Sequence, residues 1–330
     1  MLYSGNEQLN KNRCLLTIAI PHFQDFEGLL LTVRSLAKEE LYDTEILICD
    51  NATPGFDGII SELFELIPKI KILSNPTNIG FDRNIDFAVS KSTGKFVWLL
   101  GCDDTPVEGS LPVLLKTLSN HEEAINVSLN VVTDHTVSII DPYIKFRFLN
   151  CKDPQFNVEE LFNSALSGNV INKKLWMSVS NNNLEFENWC HVERIFQMHD
   201  VYGVEKKSIR LDSAHVHVKR PEKGWWNIDD AQFLFNVLMY KKLLEHYINR
   251  LGIGEAQKTS FLHHINLAIM RSIVHSRAID QHADPNMHAK IKLLLAQDNF
   301  MLRLYKAFNL IPKSPIRLLI KVVRAIKSIV

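Results

Sequence analysis

Residues 78–104 read NIGFDRNIDFAVSKSTGKFVWLLGCDD. Asn78-Ile79-Gly80 has the chemistry of a tight turn. Residues 80–90 then follow a helical pattern, and the apolar run 95–100 (KFVWLL) predicts a buried strand. That strand runs straight into Gly101-Cys102-Asp103-Asp104. Two adjacent carboxylates at the end of a buried strand are costly unless something compensates them. A hard divalent cation such as Mg²⁺ or Mn²⁺ is one compensator, because it takes oxygen ligands. A solvated turn with an Asp capping the next helix is the other reading.

Working outward, residues 15–20 (LLTIAI) predict a strand ending at Pro21. Residues 26–38 have helical spacing with Leu29, Leu30, Val33 and Leu36 on one face. Residues 45–50 (EILICD) predict a second strand, then a turn and a helix to about 66, and residues 70–73 a short third strand. Strands alternating with helices imply an α/β fold, Rossmann-like, with a mainly parallel central sheet flanked by helices. Polar residues follow successive strands at Pro21-His22, Asp50-Asn51 and Cys102-Asp103-Asp104. In an open α/β sheet that carboxyl edge is where ligands bind. Beyond residue 110 the pattern changes. Strands are expected at 124–132 and 137–140, mostly helix over 156–203, and helix from 226 onward. The expected division is a catalytic domain over 1–220 and a C-terminal helical extension over 221–330.

With 46% hydrophobic and 22% charged residues, the chain has ample material for a core. Its 37 basic and 37 acidic side chains balance, so no global field points to nucleic acid. Five scattered cysteines without a CxxC pair argue against a disulfide framework or a thiolate zinc site, and fit a reducing compartment. The segment MLYSGNEQLNKNRC has no signal-peptide character, and no apolar stretch of about 18 residues suggests a membrane span. The expected location is cytoplasmic. Residues 314–330 (SPIRLLIKVVRAIKSIV) place Arg317, Lys321 and Arg324 on one helical stripe, with Leu319, Val322, Val323, Ile326 and Ile329 facing away. This is either a peripheral contact at the inner face of an anionic membrane or a helix docked on the protein's own core. The extension is also a candidate homo-oligomer interface.

Other candidate residues lie at the strand ends. Helix amides after Asn78 and Gly80 suit a phosphate, and Arg83 offers a fork of donors. Asp50 beside Phe23 suits a nucleobase, the ring stacking and the carboxylate accepting. Each alone is also ordinary turn chemistry, with Phe23 as a core residue.

Taken together and in order, IAIPHFQDFEGLLLTVRSL (18–36), EILICDNATPGFDG (45–58) and NPTNIGFDRNIDFAVSKSTGKFVWLLGCDD (75–104) resemble the start of a family 2 glycosyltransferase with the GT-A fold. Bacterial enzymes that build O-antigen, capsule or other surface polysaccharides are the nearest likeness. The resemblance is strong over about 15–110, the donor half, and continues weakly over an acceptor half at 111–220. It runs there through SGNVINKKLW (167–176), ENWCHVERIFQM (187–198) and VKRPEKGWW (218–226).

The resemblance implies roles. Pro21, Phe23 and Asp50 match the nucleotide base pocket, with Asn51 beside them. Asn78, Gly80 and Asn84 match the turn and helix near the ribose and phosphates, and Arg83 stands where a basic residue is often found. Asp103 matches a contact to ribose, sugar or metal, and Asp104 the main ligand of Mn²⁺ or Mg²⁺. The acidic motif often has three Asp, and Cys102 takes the first place here, which puts metal choice in doubt. Family members generally invert and need a carboxylate base. Residues 185–193 supply candidates, with Glu193 preferred and His191 beside it. His217 or His215 is a candidate metal ligand, against a reading as surface histidines. Lys219, Arg220 and Trp225 resemble a segment that closes over the diphosphate and stacks on a sugar. The implied partners are a nucleotide-diphosphate sugar donor and a glycan or lipid-linked acceptor. A non-catalytic GT-A-like assembly partner and a sugar nucleotidyltransferase are the alternatives; the latter would need a Gly-rich phosphate loop that IPHFQDFEG lacks. A dinucleotide-binding dehydrogenase is disfavoured because no GxGxxG follows the first strand.

Overall fold

The structure is a computed structural model that describes residues 2–4, 14–132, 146–148, 161–203, 208–218, 231–252, 265–266, 269–270, 273, 285–296 and 298–310. The chain divides into two compact units, Met1–Lys219 with Arg250–Ile253, and Arg220–Asn249 with Gly254–Val330.

The first unit is built on ten strands among the described residues. In chain order these are β1 (Leu2–Ser4), β2 (Leu16–His22), β3 (Thr44–Asp50), β4 (Lys71–Ser74), β5 (Phe96–Leu99), β6 (Thr105–Pro106), β7 (Asn126–Val132), β8 (Phe146–Phe148), β9 (Asn169–Asn172) and β10 (Ser208–His217). The helices that flank them are α1 (Phe26–Leu36), α2 (Ile60–Leu66), α3 (Phe81–Lys91), α4 (Ser110–Asn120), α5 (Lys173–Val179) and α6 (Cys190–Tyr202). Strands β4, β3, β2 and β5 run parallel in that order. β9 then pairs antiparallel with both β5 and β7, and β10 continues parallel to β7. β6 and β8 close on β10, and β1 pairs with β4.

The parallel half follows from the apolar runs. Leu16, Ile18, Ala19 and Ile20 of β2 are wholly buried, as a central strand covered on both faces requires. Helix α1 starts where Asp25 accepts from the Gly28 amide at 2.9 Å. It buries Leu29, Val33 and Leu36 against the sheet. At the amino ends a buried carboxylate ties the strands together. Glu45 accepts from Thr17 Oγ1 at 2.6 Å, from the Thr93 amide at 2.7 Å and from Lys71 Nζ at 2.7 Å. Burial alone would raise the Glu45 carboxyl, but these donors outweigh it and the pKa falls below its usual 4.5.

The expected helical stretch 156–203 holds α5 and α6 where described, and also a strand it did not anticipate, Asn169–Asn172, inserted between β5 and β7. Four residues buried on both faces have no alternation to show, and the adjoining α5 pattern hides them. Helix α4, where no element was expected, follows a left-handed Gly109 and buries Leu111, Leu114, Leu115 and Leu118. The strand expected at 137–140 lies outside the described residues.

In the second unit the described residues are helical, with α7 (Ala231–Arg250), α8 (Pro285–Leu295) and α9 (Asn299–Leu310). Asp298 caps α9, accepting from the Met301 amide at 3.0 Å. His288 Nδ1 and the Tyr305 hydroxyl share a hydrogen bond that ties α8 to α9. No helix among the described residues is long and apolar enough to cross a membrane.

Glu45→Gln keeps the side chain's size and strips Lys71 of its counter-charge. It is expected to lower the unfolding free energy by about 1–3 kcal/mol, read as a lower urea midpoint at unchanged m-value. Because the folded pKa of Glu45 is depressed, the difference from wild type is complete above pH 4.5 and shrinks as pH falls through that lower value.

Candidate functional site

The sheet order places β3 on one side of β2 and β5 on the other. Strand order therefore reverses at β2 and β5, and the loops after them border the crevice that a ligand enters. Three carboxylates gather there. Gly28 lies so close that a Cβ on it would stand 2.5 Å from Asp25 Oδ2 and 2.9 Å from Asp103 Cβ. Only glycine lets α1 approach the acidic turn so nearly. Thr32 on the same helix donates to the carbonyls of Cys102 and Asp104 at 3.0 and 2.8 Å. Asp104 is 6% exposed, and its Oδ2 accepts from the Ser167 hydroxyl, which itself accepts from the Gly101 amide at 2.7 Å. Asp103 is half-buried. Burial raises the Cys102 thiol, and Asp103, Asp25 and Asp104 raise it further. Cys102 is thus held as a protonated thiol.

A lattice of amides borders the same edge. Asn51 Nδ2 donates to Asn78 Oδ1 at 2.9 Å, and its Oδ1 accepts from the Ile79 amide at 3.0 Å. Asn78 Oδ1 also accepts from the Gly80 amide at 2.9 Å. Asn84 donates to the Cys49 carbonyl at 3.0 Å and accepts from Asn75 at 2.9 Å. Gly80 sits at φ 86°, ψ 165°, a conformation that side-chain-bearing residues avoid, and so opens α3 after a sharp turn. Arg83 is exposed on that helix.

Asp50 is buried at the end of β3. It accepts from His22 Nδ1 at 3.0 Å and from the Thr53 amide at 3.1 Å. Burial pushes its carboxyl up, but these donors prevail and hold it below the usual carboxylate range. Gln24 and Ala52 have φ of 61° and 62° on the two loops, where the Gln24 amide donates to Thr53 Oγ1 at 3.0 Å. Such left-handed residues collect at functional loops. Pro21 is half-buried, while Phe23 is 41% exposed and is therefore not a core residue.

Helix α6 carries the expected base. Glu193 is fully buried, and its carboxylate accepts from the amides of Glu185 and Phe186 at 3.0–3.1 Å. A carboxylate that organises its own preceding loop at 0% exposure is withdrawn from solvent. His191 is 2% exposed, and its Nε2 donates to the Ser164 carbonyl at 3.1 Å. Burial lowers its pKa to about 4 against a partial lift from that bond, so it is a neutral structural imidazole. The start of α6 is capped from α3, where Asp82 accepts from the amides of Asn188 and Cys190 at 2.7 and 3.1 Å. Burial raises the Asp82 carboxyl and Glu187 adds to it; Glu185 and Glu187 are the exposed carboxylates of this loop.

Residues 17–155 match the glycosyl transferase family 2 model. Solved structures share the fold across nearly the whole chain. S. aureus TarS 1-349 aligns with TM-score 0.54 at 11% identity, covering 92% of this chain and 90% of that one. The same TarS fragment in complex with UDP-GlcNAc gives TM-score 0.53 at 12% identity, covering 89% and 90%. A mannosyltransferase from Pyrobaculum calidifontis in complex with GDP-Man and Mn²⁺ gives TM-score 0.54 at 12% identity, covering 91% and 88%. No curated protein matches by sequence. The fold is GT-A, followed by a helical extension.

The first unit thus gathers Asp103 and Asp104 at one point of the sheet edge, and locks Asn51, Asn78, Gly80 and Asn84 into another. Asp25 and Ser167 are site residues that the sequence does not single out. Asp25 caps α1 in the structure, and Ser167 joins the site through a sheet pairing that no local pattern announces. His215 and His217 are buried rather than surface residues. His217 pairs across strands with Thr105, the residue after Asp104. Among the described residues no three His, Cys, Asp or Glu side chains converge on a metal position, so Asp103, Asp104 and His217 are not a ready-made three-ligand site. The oxygen donors of Asp103 and Asp104 nevertheless fit a hard cation that takes one or two carboxylates and completes its shell with phosphate and water. Lys219, Arg220 and Trp225, and the 314–330 stretch, lie outside the described residues.

His199, also on α6, has its pKa lowered by burial to about 4. Both it and His191 bind protons in the unfolded chain near 6.5 but not in the folded one until about 4. Stability is therefore expected to fall as pH drops from 6.5 to 4, by up to about 3 kcal/mol per histidine. Urea midpoints measured across that range check it, and His199→Asn should flatten the slope by about half.

Proposed function

We propose that this protein is an inverting glycosyltransferase that moves a sugar from a nucleotide-diphosphate donor to a hydroxyl of a glycan or lipid-linked glycan acceptor. The carrying observation is the acidic cluster of Asp25, Asp103 and Asp104 at the point where β2 and β5 diverge, with Asp104 fixed by Ser167. UDP-GlcNAc and GDP-Man in the TarS and mannosyltransferase complexes lend support to a donor of this chemical class.

In this reading the loop after β2 and Asp50 hold the base, Phe23 supplying an exposed ring and Asp50 an ionised acceptor. Asn78, Gly80 and Asn84 shape the turn near ribose and phosphates, and Arg83 offsets phosphate charge. Asp104, aided by Asp103, would hold Mn²⁺ or Mg²⁺, which neutralises the diphosphate and so improves it as a leaving group. Glu187 takes the base role in place of Glu193. The acceptor oxygen forms its bond to the anomeric carbon as its proton passes to Glu187. The bond from that carbon to the diphosphate breaks, and the nucleoside diphosphate departs with the electron pair. We place this reaction in surface polysaccharide assembly, on the cytoplasmic side of the membrane.

Calorimetric titration with UDP, GDP and dTDP, with and without Mn²⁺, tests the donor site. One nucleotide is expected to bind in a metal-dependent manner, and Asp104→Ala to abolish the metal dependence. Failure of well-folded protein to bind any of the three overturns the enzymatic reading in favour of an assembly partner. With a donor in hand, Glu187→Gln is expected to lower kcat by about 10²–10⁴ at unchanged donor affinity. Glu193→Gln should instead lower the melting temperature, because it weakens the acceptor of two buried amides. A kcat unaffected by Glu187→Gln would remove that residue from the base role.

A further inference from the structure

Helices α8 and α9 carry a second surface that the donor chemistry does not use. On α9 the residues at spacing i, i+3, i+7 and i+10, Phe300, Arg303, Ala307 and Leu310, share one exposed face, with Lys306 at its edge. Phe300 is 65% and Leu310 85% exposed, while Met301 and Tyr305 on the other side are buried. On α8 Leu293 is 75% exposed, with Lys292 beside it also exposed, while the Lys290 ammonium lies 5.2 Å from the Phe235 ring centroid. Large apolar side chains left in water beside cations, on helices whose opposite sides are already packed, mark an interaction surface.

Charge selects the partner. Asp298, the one acidic residue in 285–330, lies 3.6 Å from Lys241 and leaves the exposed faces purely cationic. The same stretch holds nine Lys and Arg, in a chain whose acids and bases balance overall. A second copy of this surface would meet like charge. A nucleic-acid backbone would match the cations but gains little from Leu293 and Leu310. An anionic bilayer satisfies both features, the headgroups taking Lys and Arg and the interface taking Phe and Leu.

We propose that the exposed faces of α8 and α9 dock the protein on an anionic lipid bilayer. The assignment stands apart from the glycosyltransferase reading and does not depend on it. The test is co-sedimentation of the full chain with vesicles of phosphatidylglycerol and phosphatidylcholine, or of phosphatidylcholine alone, at low and high salt. Binding to the anionic vesicles is expected to exceed binding to neutral ones at least tenfold and to weaken with salt. Arg303→Glu with Lys306→Glu should reduce it at least tenfold, since each cation near an anionic surface contributes about fivefold. Phe300→Ser with Leu310→Ser should remove the part that survives high salt. All four positions are exposed, and unchanged circular dichroism and melting temperature confirm folding. Lys321→Glu with Arg324→Glu, which leaves α8 and α9 intact, should retain anionic binding above that of the Arg303/Lys306 pair. Equal binding to both vesicle types, no binding, undiminished binding by the α9 variants, or retention of a nucleic acid in place of vesicles would each overturn the proposal.

Discussion

The hydrogen bond between the Ser167 hydroxyl and Asp104 joins the two halves of the sheet at the place where chemistry is expected. Asp104 ends the parallel half, and Ser167 belongs to the segment that leads into the antiparallel strand β9. Ser167 also accepts from the Gly101 amide through its hydroxyl, and its carbonyl accepts from Trp98 Nε1 at 2.8 Å. One small residue therefore satisfies three polar groups in a dry environment, where each would be expensive if left unpaired. The pairing of β5 with β9 sets this residue in place. A shift of register there would move Ser167 off the acidic turn.

The remainder of the edge obeys the same constraint, that buried polar groups must find partners. Asn51, Asn75, Asn78, Asn84 and the turn before α3 satisfy one another, so the loop has a shape before any ligand arrives. Asp50 is kept ionised by His22 and Thr53, and Asp82 and Glu193 terminate buried amides around α6. Preorganisation of this kind lowers the ordering cost of binding. It also explains why carboxylates of equal chemistry differ in role. Glu193 is buried and accepts from two amides and Gln197, whereas Glu187 is exposed.

The α/β class, the parallel order of the first strands and the carboxyl-edge acids were legible in the sequence, because apolar runs and turn residues are local signals. Residues 15–104 behave in this way, and their helices and strands fall close to the expected positions. The strand at Asn169–Asn172 and the role of Ser167 were not legible. Both arise from pairings with segments far away along the chain, and a four-residue strand buried on both faces shows no periodicity.

The sequence by itself determined which residue types sit at each strand end, since that information is carried by neighbours along the chain. Only the tertiary structure decided which of them are available to a ligand. Glu187 and Glu193 are chemically alike and close in the chain, and His215 and His217 read as surface residues by composition. Burial and hydrogen bonding are properties of the packed assembly, not of the residue. They turned Glu193 into an anchor, buried both histidines and placed Ser167 against Asp104.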